Sequence, residues 1–169
     1  MIMAVNISVA IVTVSDSAAA GTREDLSGPA LEQRVMELGW TVAQRALVPD
    51  ERALIAKTVA NLCGCDVILT SGGTGLAPRD VTPEAIKMIA EREVPGFGEL
   101  MRSEGLKSTR FAPLSRGGAV TRGSALIVML PGSPRGAVES LNAVSGLIPH
   151  VVDLLHGRTE HKEKLGASL

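Results

Sequence analysis

Two aspartates carry the sharpest chemistry in this chain: Asp50 in "LVPDE" and Asp80 in "APRDVTPE". Asp80 follows the stretch "TSGGTG", where Gly72, Gly73 and Gly75 can take positive φ and let a ligand approach the main chain. Successive N–H groups there would form an anion nest, strengthened by the helix start at Thr82-Pro83. Standard phosphate loops do not match. A Walker A loop needs a lysine that is absent here, and a dinucleotide fingerprint needs a glycine where Pro78 stands. Two carboxylates beside a phosphate nest suit Mg²⁺, which takes one or two carboxylates plus substrate phosphates and water. Each acid also has a plainer reading. Asp50 fits a helix N-cap, and Arg79-Asp80 fits a surface pair of little energetic weight. "PGSPRG" (131–136) and "LSRG" (114–117) are equally two-sided: each offers an arginine to an anion, and each also reads as a solvated turn or capped helix start.

Stepping these residues back onto elements gives four strands. They are Val5–Val14, Thr41–Val48, Asp66–Thr70 and Ser124–Leu130, as continuous apolar runs that suit parallel strands covered on both faces. Helical spacing separates them: Leu31, Val35 and Leu38 stopped by Gly39; Ile55, Val59 and Leu62 behind Asp50; a helix from Thr82; and one from Ser133-Pro134 through Val138, Leu141 and Leu147. Residues 91–123 are less regular and predict a helix over 98–108 followed by a glycine-rich loop. The β-α alternation and right-handed crossovers predict an α/β fold, a three-layer α/β/α sandwich on a mostly parallel sheet. If the strands are parallel, the segments after them share one edge, and Asp16, Asp25, Asp50 and Asp80 reach one cleft.

Composition narrows the function. A net charge of −1 with no basic stripe argues against nucleic acid, and 2% aromatics leave few platforms for stacking bases. The apolar start followed by "SDSAAAG" imitates a signal peptide, but no Lys or Arg precedes Arg23, so it reads as a buried strand. No apolar run approaches the ~20 residues of a membrane span. The expected setting is the cytoplasm, with no membrane partner. Cys63 and Cys65 lack zinc spacing and read as small half-buried residues. His150, His156 and His161 lie late in the chain and are assigned no catalytic role. We expect one domain over residues 1–156 and a polar, frayed tail over 157–169.

"SDSAAAGTREDLSGPAL", "LVPDE", "TSGGTGLAPRDVTPEA" and "LSRGGAVTRGSALIVMLPGSP" together resemble the MogA/MoaB family of molybdenum-cofactor biosynthesis. The match is nearest to its molybdopterin adenylyltransferases and runs from about Val5 to Leu155. The resemblance implies the molybdopterin-binding fold, a homotrimer, and transfer of AMP from ATP to molybdopterin with Mg²⁺. A molybdenum-insertion protein would follow as a partner. Asp50 and Asp80 would be the catalytic, metal-holding acids. Substrate would be bound by Ser15, Asp25, Ser27 and Gly28 of the first signature, and by Ser71, Gly72, Gly73, Thr74, Gly75, Arg79 and Thr82 of the third. Ser115 and Arg116 of "LSR" and Pro131, Gly132 and Ser133 would complete the set. A non-catalytic protein that binds or delivers molybdopterin would use the same loops. An unrelated nucleotide-binding oxidoreductase is disfavoured by Pro78.

Overall fold

The first apolar run forms β1, Ser8–Val14, buried along nearly its whole length. Its continuous β-branched character suits a central strand flanked on both sides, and that is where it lies. In the computed structural model, which describes residues 6–158, one six-stranded sheet has the order β2-β1-β3-β6-β5-β4. Here β2 is Thr41–Val48, β3 Val67–Ser71, β4 Arg92–Val94, β5 Gly118–Arg122 and β6 Ala125–Leu130. β2, β1, β3 and β6 are mutually parallel, in a register that aligns Val14 with Val48, Thr13 with Ser71, and Ser71 with Leu130. β5 runs antiparallel to β6, and β4, antiparallel to β5 in turn, closes the far edge.

Helices cover both faces. They are α1 (Asp16–Ala19), α2 (Ser27–Glu37), α3 (Arg52–Asn61), α4 (Thr82–Lys87), α5 (Pro95–Gly105), α6 (Pro134–Ser145) and α7 (Ile148–Leu155). Residues alternate across the strands, so Ile11, Leu69 and Val128 join α2, α5, α6 and α7 in one core. Val12, Ile68 and Ile127 join α3 and α4 in the other. The result is the three-layer sandwich expected. With two Phe and one Trp in the chain, these layers are aliphatic. Trp40, just before β2, is buried in the first.

The helix ends follow local chemistry. Gly39, past α2, has φ +79°, the left-handed stop its position predicted. Ser133 caps α6 by accepting the Gly136 N–H at 3.1 Å. Three expectations need correction. The region after α5 is not only a glycine-rich loop: a 3-10 turn at Ala112–Leu114 leads into β5. Short β4 was also missed. Asp50 does not cap α3; Glu51 holds that position, with no side-chain cap bond. The expected tail falls almost entirely in 159–169, outside the described residues. No described helix is long and apolar enough to cross a membrane.

Candidate active site

The parallel register brings four turns to the carboxyl edge of the sheet, and a cleft of about 440 Å³ opens between them. Ser15, Asp25 and Ser27 line it from the segment after β1, and Asp50 from the turn after β2. Ser71, Gly72, Gly73 and Asp80 come from the end of β3 and the segment after it, and Gly132 and Ser133 from the turn after β6. Ten of the sequence-assigned residues thus meet in one place.

Asp50 and Asp16 bind each other reciprocally. The Asp16 N–H donates to Asp50 Oδ2 at 2.9 Å, and the Asp50 N–H donates to Asp16 Oδ1 at 2.9 Å, joining turns 34 residues apart. Arg79 then grips Asp16 with both arms, Nε to Oδ2 at 2.8 Å and NH2 to Oδ1 at 2.7 Å. Arg79 is therefore not the partner of Asp80 and does not line the cleft. The Arg79 bond, with the Asp50 amide, holds the Asp16 carboxyl below the usual range. Asp50 moves the other way: burial pushes its carboxyl up, and the charges of Asp16 and Asp80 add to that, against the Asp16 amide bond and Arg79.

The loop between β3 and α4 is braced by its own residues. Gly72 has φ +109° and Gly73 φ +68°, both forbidding a side chain at low cost. A Cβ on Gly72 would collide with the Val14 carbonyl. Thr82 Oγ1 donates to the Gly72 carbonyl at 2.8 Å, and Ser71 Oγ to that of Pro131 at 2.8 Å. The nest is smaller than expected, because the Gly72 N–H is taken by the Leu130 carbonyl at 3.1 Å. The Gly73 N–H meets no acceptor among the described residues. Thr74, Gly75, Thr82 and Arg116 also serve as struts rather than lining. Arg116 donates to the carbonyls of Gly75 (2.9 Å) and Asp80 (2.7 Å) and pairs with Glu84. Its backbone N–H binds the Thr74 carbonyl at 2.8 Å.

Asp25 reaches the cleft with its lone pairs occupied. It accepts from Thr13 Oγ1 and the Gly28 N–H, each at 2.9 Å, and more weakly from Arg45. Gly28 lies under that cluster, where a Cβ would strike Asp25. A second, more apolar cavity of about 190 Å³ adjoins the first through Ser133. Met101, Arg102, Phe111, Ser115 and Pro131 line it, so Ser115 and Pro131 belong there and not with the two acids.

Residues 10–150 match the MoCF_biosynth family, described as a probable molybdopterin binding domain. The chain is 44% identical over 156 residues to a Helicobacter pylori protein named molybdopterin adenylyltransferase, covering 89% of each. It is 42% identical over 154 residues to the Escherichia coli K12 protein of that name, covering 88% of this chain and 78% of the relative. The crystal structure of the molybdopterin biosynthesis enzyme MoaB from Thermus thermophilus superposes with a TM-score of 0.83 at 49% identity, covering 89% and 97%. The chain belongs to the MoCF_biosynth family.

In this MoCF_biosynth chain, sequence reasoning placed Asp16 near the cleft without assigning it work. It missed Arg23 and Glu24 as rim residues and Arg102 and Phe111 in the second cavity. The available signal was position: Asp16 stands at once behind a strand, as Asp50 does. The pair Asp50 and Asp80 fits Mg²⁺ by its donors. Each has one oxygen held by a backbone N–H, Asp16 for Asp50 and Ala77 for Asp80, and the other meets no protein donor among the described residues. No cluster of three or more metal-binding side chains occurs among those residues. A magnesium held by these two acids alone would need phosphate and water to complete its shell. Cys63 and Cys65 are free and half-buried, and burial pushes both thiols up, away from reactivity.

Proposed function

We propose that this chain is a Mg²⁺-dependent molybdopterin adenylyltransferase. The observation that carries the reading is that Asp50 and Asp80, from separate turns, line one cleft beside the Gly72-Gly73 turn. Relatives covering most of the chain are named for this activity. The terminal phosphate of molybdopterin attacks the α-phosphate of ATP, the bond to the β-phosphate breaks, and pyrophosphate leaves. That nucleophile is already anionic near neutral pH, so it needs no general base. The demand is for charge neutralisation and alignment. Asp50 and Asp80 would hold Mg²⁺, which supplies a positive centre for the phosphates. The Gly73 N–H would donate to a phosphate oxygen. Ser15, Ser27, Ser71, Gly132 and Ser133 would bound the substrates, and Asp25 would shape the first loop. Ser115 and Pro131, in the second cavity, would hold the pterin. We take residues 1–156 as one molybdopterin-binding domain, working as a homotrimer in the cytoplasm and passing its product to a molybdenum-insertion protein.

Incubation with molybdopterin, ATP and Mg²⁺ should release pyrophosphate and yield adenylylated molybdopterin. Chelation of Mg²⁺ should stop it. Asp80→Ala should lower kcat by about 100-fold or more while pterin affinity stays within about threefold. Equal turnover in the variant would remove Asp80 from the reaction. Tight pterin binding without pyrophosphate in the wild type would select the reading as a carrier.

A further inference from the structure

Arg79 poses a problem for a site that must take up a divalent cation. Its guanidinium stays charged at any working pH. It lies on the same loop as Asp80, one residue away, and within electrostatic reach of Asp50 and Glu51. Left free, it would be drawn to those carboxylates and compete there with a divalent cation. In the structure it does not. Asp16 holds it in a two-armed grip at 2.7 and 2.8 Å, and the Asp16 backbone N–H meanwhile donates to Asp50 Oδ2 at 2.9 Å.

The pair is largely exposed, with 63% of the Arg79 side chain and 44% of the Asp16 side chain accessible, so it adds little to fold stability. Its geometry is specific all the same. Asp16 Oδ1 accepts from both Arg79 and the Asp50 N–H while Oδ2 accepts from Arg79 Nε, so one carboxylate ties the guanidinium to the Asp50 turn.

We propose that Asp16 is a positioning residue whose carboxylate sequesters the Arg79 guanidinium, keeping Asp50 and Asp80 open to a divalent cation and its nucleotide. It rests on the adenylyltransferase reading. It gives the first signature loop a task in the reaction without contact to substrate. It also assigns Arg79 a neutralising partner outside the cleft instead of a phosphate.

The test is calorimetric titration of the full chain with ATP at several Mg²⁺ concentrations, with melting curves as a control for folding. Asp16→Asn keeps an oxygen for the Asp50 N–H and loses the charge that holds Arg79. It should weaken Mg²⁺-dependent ATP binding by about 10–100-fold, the usual effect of losing a residue behind a metal ligand. Adding Arg79→Ala to Asp16→Asn should restore affinity to within about threefold of wild type. Wild-type affinity in Asp16→Asn, or no recovery in the double variant, would overturn the proposal. Should Asp16→Asn melt too early to titrate, Asp16→Glu and Asp16→Ser replace it. The glutamate should bind at least about tenfold more tightly than the serine, and equal affinities would overturn the proposal. Failure of the underlying reading shows separately, as absence of adenylylated product from the wild type.

Discussion

At the scale of residues, Asp50 illustrates how a working group differs from a comfortable one. Its carboxyl is raised by burial and then by the neighbouring acids. A raised carboxyl favours the native state while protonated, below the ordinary carboxylate pKa. That contribution is lost as pH rises through the folded value. Without metal, Asp50→Asn should therefore melt higher than wild type at about pH 8, and the gap should close toward about pH 4. The same substitution should cost about 100-fold or more in turnover. A lower melting temperature for the variant at neutral pH would contradict this picture. Sequence reasoning found Asp50 and Asp80 because each sits in a turn directly behind a strand. It could not assign the partners of Asp50 and Arg79, since their bonds to Asp16 cross 34 and 63 residues and depend on side-chain directions that only the folded edge defines.

Among the elements, the turn after β3 is the least forgiving. Gly72 sits at φ +109° against the Val14 carbonyl, so the turn that presents Gly73 and Asp80 is built against the end of β1. Gly72→Ala should destabilise the protein by about 2 kcal/mol or more, through a strained backbone and a displaced strand end. Urea melts would measure it, and an unchanged midpoint would refute it. The parallel strands and their helices were legible because continuous aliphatic runs and i, i+4 spacing are strong local signals. β5 was not. Gly118–Arg122 is five residues with glycine beside both ends, and its strand character comes from antiparallel pairing with β6. β4, three residues long, exists only as the next partner in that pairing. Helix starts were legible where Pro83 and Pro134 marked them, and the start of α3 was misplaced because Asp50 was drawn away by Asp16.

Across the whole molecule, two acids at opposite edges of the sheet, Asp50 and Asp66, answer pH in opposite senses. At the amino edge, Asp66 ties β1 to α7. It accepts from the Ser8 N–H at 2.8 Å and Ser8 Oγ at 2.9 Å, and meets His156 Nε2 at 2.7 Å. Desolvation pushes this carboxyl up, but the Ser8 bonds and His156 outweigh it, and the net value is lowered. Its stabilisation is present above the ordinary carboxylate pKa and is lost as pH falls through the folded value. Asp66→Ala should lower stability by about 1–3 kcal/mol at neutral pH and leave kcat within about twofold. A comparable loss of turnover would mean that the edges are coupled. Trp40 lies near this same end, just before β2, roughly 25 Å by strand rise from Val48 at the end that leads to Asp50. It is the sole tryptophan, and the chain has no tyrosine. Intrinsic emission will thus register collapse or melting of the aliphatic interior while staying blind to nucleotide arriving at the opposite rim, so the protein carries a built-in reporter of integrity that occupancy does not contaminate.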